Sequence, residues 1–89
     1  MQALLHRAAD KYYMRLNQAD KDRIDEALDD LEKEPPEGDI IPVAGEPGRF
    51  RVRVGRFRLL YRVKSDIILV THIDPRGQVY NKKNKGGKR

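Results

Sequence analysis

Apolar residues return at three- and four-residue steps through the first third of the chain: Leu5, Ala8, Ala9, Tyr12 and Leu16, then Ile24, Ala27, Leu28 and Leu31. That period predicts two amphipathic helices, over 3–16 and 18–33, with Asp and Lys filling the other faces of the second. Asn17 fits an N-cap between them, with Asp20 three residues on, near the positive helix end. Pro35-Pro36 ends the second helix, and the short link makes the pair a helical hairpin. The first few positions fit a short strand as well, and so few residues do not decide between the two. Residues 34–48 hold four of the five prolines and three glycines and read as a connecting loop.

From Phe50 the period changes to two. Phe50, Val52 and Val54 alternate with Arg51 and Arg53, and Phe57, Leu59, Tyr61 and Val63 alternate with Arg58, Leu60 and Arg62. This is the spacing of strands with one buried face. Gly55-Arg56 between the runs suits a two-residue type II′ hairpin turn. Lys64-Ser65-Asp66 makes a second turn, and the apolar stretch Ile67 to Ile73 reads as an interior strand. Pro75-Arg76-Gly77 interrupts the chain before Gln78-Val79-Tyr80. The predicted class is α+β: one domain over 1–81, a small antiparallel sheet packed by an N-terminal helical hairpin, with 82–89 a basic, solvated and disordered tail.

The hairpin register carries a chemical consequence. With Gly55-Arg56 at the turn, Arg49, Arg51, Arg53, Arg58 and Arg62 share one face, and Arg53 stands directly opposite Arg58. Facing like charges cost about 0.2–1 kcal/mol, and the hairpin itself holds no acidic residue to relieve them. The bland reading is a solvated basic surface. Five arginines converging on one face favour an anion site, and the planar, forked guanidinium suits a phosphodiester better than a small carboxylate.

Charge is divided along the chain in the same sense. Residues 1–48 hold six Lys/Arg against twelve Asp/Glu, whereas 49–89 hold thirteen against two. An acidic scaffold beside a basic working surface implies a polyanionic partner. The absence of cysteine excludes disulfides, thiol nucleophiles and Cys-containing zinc sites. No apolar run approaches the ~18 residues of a membrane span and no signal-peptide pattern opens the chain, so a soluble cytoplasmic protein without membrane contact is expected.

Three segments together resemble the RelE/ParE family of type II toxin–antitoxin toxins: Phe50–Val63 (FRVRVGRFRLLYRV), Ile73–Tyr80 (IDPRGQVY) and the helix Asp20–Leu28 (DKDRIDEAL). The resemblance covers roughly residues 7–82 and does not separate the family's branches. It implies a RelE-like enzyme that cleaves mRNA in the ribosomal A site or, alternatively, a ParE-like inhibitor of DNA gyrase without nuclease activity. A degenerate, inactive toxin is a third reading. Each toxin reading implies a cognate antitoxin, the first also the ribosome and mRNA, and neither a cofactor. Family strands usually begin before the helical hairpin, where only Met1–His6 is available here.

Carried over position by position, the resemblance sets Arg51 and Arg53 where two catalytic lysines stand in RelE-like enzymes, Arg58 on a strand arginine and Tyr80 on a C-terminal tyrosine. The family's C-terminal arginine falls on Asp74, with Arg76 two residues on as its substitute. Arg49, Arg56, Arg62, Lys82 and Lys83 would add RNA-binding charge. Cleavage by 2′-OH attack then needs a phosphorane stabiliser, which arginine supplies, and a proton acceptor, which arginine, with a pKa above ~12, does not. Histidine is the usual general base near neutral pH, but alternation within its strand places His72 on the core side. His6 is expected to be exposed. Two distant histidines and no paired carboxylates in the basic half make no metal site.

Overall fold

The computed structural model describes residues 1–75. In order these form β1 (Gln2–Leu5), α1 (Arg7–Met14), α2 (Gln18–Leu31), β2 (Asp39–Pro42), β3 (Arg49–Val54), β4 (Phe57–Lys64) and β5 (Ile67–Pro75). Arg76, Tyr80, Lys82, Lys83 and the basic tail lie outside the described residues. The strands make one sheet in the order β1-β5-β4-β3-β2, antiparallel except where β1 joins β5 in parallel.

The hairpin register matches the expected one residue for residue, Val54 opposite Phe57 through Arg49 opposite Arg62. Gly55 at φ 57° takes the positive angle that the first central position of the turn requires. In the second turn Ser65 holds φ 55°, a region L side chains rarely enter.

One face of the sheet carries the core. Val52, Phe57, Leu59, Tyr61, Ile68, Val70 and Ile73 are buried there with Ala9 of α1 and Ile24 and Leu31 of α2. Tyr12 meets Phe57 edge-on at 6.3 Å, and Phe50 stacks on Tyr61 at 5.4 Å. Asn17 caps α2 as its position suggested, its side-chain oxygen accepting from the Asp20 N–H at 2.8 Å.

Two elements depart from the sequence expectation. The 3–16 stretch is not one helix, because Gln2–Leu5 pairs with β5 and the helix begins only at Arg7. Ala3 and Leu5 face the core while Gln2 and Leu4 are exposed, an alternation of two that four residues barely display. On the outer side of this edge strand two residues just past α2 take donors: the Ala3 N–H donates to Glu32 Oε2 at 2.7 Å, and the terminal amine reaches Glu34 at 3.1 Å. Within the expected loop 34–48, Asp39–Pro42 forms a second edge strand on β3. Its proline is tolerated because an edge strand leaves half its N–H groups unpaired.

β5 also breaks its own alternation. Leu60 pairs with His72 but the next residue, Tyr61, pairs with Val70, so Thr71 is an extra residue, a β-bulge. Ile68 and Val70 are buried, and after the bulge the buried position moves from 72 to Ile73. His72 is therefore exposed on the arginine face, not on the core side that uninterrupted alternation predicts.

Candidate nucleic-acid interface

The sheet face opposite the helices gathers the arginines in successive rows across the strands. The row nearest the hairpin turn reads Asp39, Arg53, Arg58, Asp74 from β2 to β5. The next reads Ile41, Arg51, Leu60, His72, and beyond the bulge Arg49, Arg62, Leu69 and Leu4 follow. The facing pair Arg53 and Arg58 is thus real, but it is not unrelieved. Arg53 Nε donates to Asp39 Oδ2 at 2.9 Å, and the register sets Asp74 on the far side of Arg58. The relieving carboxylates come from β2 and the end of β5, one an edge strand hidden in apparent loop, which is why the hairpin alone gave a row of like charges.

Arg51, Arg53 and Arg58 surround one shallow depression of about 210 Å³, with Asp39 and Ile41 completing its walls. Arg58 is 8% exposed, an unusual depth for a guanidinium. Arg51 is half-buried, and Arg53 is exposed. Arg51 and Arg62 make no ion pair among the described residues, so their donors are available to a ligand. Arg49 is further along, tied to Glu46 at 3.0 Å with its buried Nε unpartnered.

Arg56 is placed differently. From the turn it folds to the helix side, pairing with the buried carboxylate of Asp20 and lying 4.9 Å over the Phe57 ring. It joins hairpin to α2 and does not line the arginine depression. Tyr61 is fully on the core side, and burial pushes its hydroxyl pKa up. Toward β1 the arginine face turns apolar: Leu4, Ile67 and Leu69, rimmed by Lys64 and Ser65, line a depression of about 330 Å³. Among the described residues no cluster of His, Asp or Glu is set to hold a metal ion, and no helix is long and apolar enough to cross a membrane.

The fold is thus α+β, a mixed five-stranded sheet with both helices on one face and an arginine cluster on the other. The family model for the ParE toxin of type II toxin-antitoxin system, parDE, matches residues 2–80. The chain belongs to this RelE/ParE toxin family. Among solved structures it is similar to a chain of the archaeal RelE-RelB complex from Pyrococcus horikoshii OT3, at 30% identity and TM-score 0.73 over 86% of this chain and 96% of that one. The RelB-RelE antitoxin-toxin complex from Methanococcus jannaschii matches in fold, at 20% identity and TM-score 0.71 over 86% and 94%. No curated protein matches significantly.

Proposed function

We propose that this toxin is a RelE-like, ribosome-dependent mRNA endoribonuclease held in check by an antitoxin in the cytoplasm. The observation that carries the reading is the convergence of Arg51, Arg53 and Arg58 around one depression on an otherwise open sheet face. Guanidinium forks on three sides suit the extra negative charge of a pentacoordinate phosphorane, where fixed donors act more strongly than in water. Arg76 would serve the leaving oxygen, and Tyr80 would stack on a base or orient the 2′-hydroxyl. Arg49, Arg62, Lys82 and Lys83 would hold flanking phosphates. The similarity to RelE chains crystallised with RelB supports an antitoxin partner. A segment both apolar and acidic fits a face that passes from the Leu4, Ile67, Leu69 patch into arginine.

A gyrase-inhibiting, ParE-like activity is the second reading. It is favoured by one observation: Asp39 and Asp74 flank the two central arginines, which tempers a face meant for polyanions. The deciding experiment incubates the purified protein with programmed ribosomes and maps new 5′ ends by primer extension. Cuts confined to the A-site codon are expected. Intact mRNA together with blocked DNA supercoiling by gyrase would establish the second reading.

A further inference from the structure

Arginine supplies no general base, so the nuclease reading leaves one role unfilled. We propose that His72 accepts the 2′-hydroxyl proton, through Nε2; the proposal rests on the nuclease reading above. The β-bulge at Thr71 turns His72 out of the core and onto the arginine face, in one row with Leu60 and Arg51. Bulges re-aim side chains in this way beside active sites. Two strand spacings separate Arg51 from His72, about 10 Å between backbones. His72 lies outside the lining of the arginine depression, so the reacting phosphodiester would sit at its Arg51 and Arg58 rim, over Leu60, with a guanidinium on one side and the imidazole on the other.

The bulge also sets the His72 ring nitrogen Nδ1 beside the Thr71 hydroxyl. Thr71 Oγ1 donates its single proton to the Leu60 carbonyl at 3.3 Å. His72 Nδ1 lies 3.0 Å from the same Oγ1. In the proposed arrangement the hydroxyl gives its proton to the Leu60 carbonyl, Oγ1 accepts from Nδ1–H, and Nε2 keeps its lone pair for the 2′-hydroxyl. Leu60 C=O, Thr71 hydroxyl and imidazole form a short orienting chain, and Thr71 is its positioning residue. Charged and titratable groups facing His72 are Asp74 on its own strand, Arg58 and Arg62 diagonally on β4, Arg51 on β3, and exposed His6, whose backbone N–H donates to Val70 O beside it.

In the step itself the O2′–P bond forms, the P–O5′ bond breaks and the 2′-proton passes to Nε2. The 5′-oxygen takes a proton from water and the imidazolium returns its own to solvent. The products are a 2′,3′-cyclic phosphate and a 5′-hydroxyl, and a charged imidazole has no lone pair for the step.

The test compares wild type, His72→Gln, Thr71→Val and Thr71→Ser in ribosome-dependent cleavage across pH 5 to 9, each first shown folded by circular dichroism. His72→Gln is expected to slow cleavage by about 100-fold or more and to erase the acid limb of the rate profile. Thr71→Val is expected to slow it and Thr71→Ser to restore it, with long-range ¹⁵N–¹H spectra showing the Nδ1–H tautomer in wild type and Thr71→Ser. If wild type cuts and His72→Gln cuts at the same rate with the same pH profile, the role of His72 is overturned while the nuclease reading stands. An Nε2–H tautomer in wild type overturns it as well. A wild type that leaves programmed mRNA intact overturns the nuclease reading, and the base assignment falls with it.

Discussion

Ser65 holds φ 55° at the first central position of a two-residue turn between paired Lys64 and Ile67. For a residue with a Cβ that conformation costs about 1–2 kcal/mol. Ser65→Gly should therefore stabilise the protein by roughly 0.5–1 kcal/mol, net of glycine's greater unfolded freedom, read as a higher urea midpoint at unchanged slope. Asn17 works in the opposite direction. Its oxygen satisfies the Asp20 N–H, and Asn17→Ala should cost about 1 kcal/mol in the same titration. Arg58 differs from both, because burial ties its removal to packing as well as charge. Arg58→Ala trades relief of the Arg53 repulsion for an uncovered pocket beside Asp74, and abolished toxicity with the fold retained is the outcome the arginine depression predicts.

At the scale of elements, periodicity made the hairpin legible because six cross-strand pairs repeat one rule. The same rule placed Tyr61 in the core and Arg49, Arg51, Arg53, Arg58 and Arg62 on one face. It failed wherever an element was too short to repeat or broke its own phase. β1 and β2 are four residues each, β1 runs on into a helix, and β2 lies among prolines and glycines. Neither has a period to detect; pairing to a longer strand defines them. The bulge at Thr71 is invisible in Ile67–Ile73 because every residue there suits a strand, and one inserted position inverted the side on which His72 emerges. Asp39 was missed for the same reason, since its meaning comes from lying beside Arg53 and not from its neighbours in sequence. Phe57, by contrast, follows the turn, is 1% exposed and packs against Tyr12, so Phe57→Ala should cost about 3–5 kcal/mol by thermal or chemical denaturation.

For the whole molecule, the division between acidic helices and basic hairpin survives folding as a division between two faces of the sheet. Ligands on the arginine face should bind with marked salt dependence. If three or four arginines contact phosphates of single-stranded RNA, the slope of log affinity against log salt is about −2 to −3, measurable by anisotropy on a labelled oligonucleotide. High pH acts on the opposite face. Burial raises the pKa of Tyr61 and of Tyr12, and Tyr13 is raised first by its hydrogen bond to Asp25. A raised pKa means the folded state holds its proton after the unfolded state has released it. This stability is complete below the ordinary tyrosine value of 10.0 and is lost as pH rises through the folded values. Melting temperature should fall above pH 10, and Tyr61→Phe should flatten that fall.

The carboxylate of Glu32 on the Ala3 N–H has a consequence for assembly. An edge strand ordinarily offers its free donors to any passing extended chain, its own copies included. Here that donor is occupied, while at the opposite edge Pro42 contributes none. Each edge thus offers one outward donor fewer to a sixth strand, which favours a regulator that approaches across the broad face. Glu32→Ala would free the Ala3 donor, and concentration-dependent oligomers in sedimentation would be its signature.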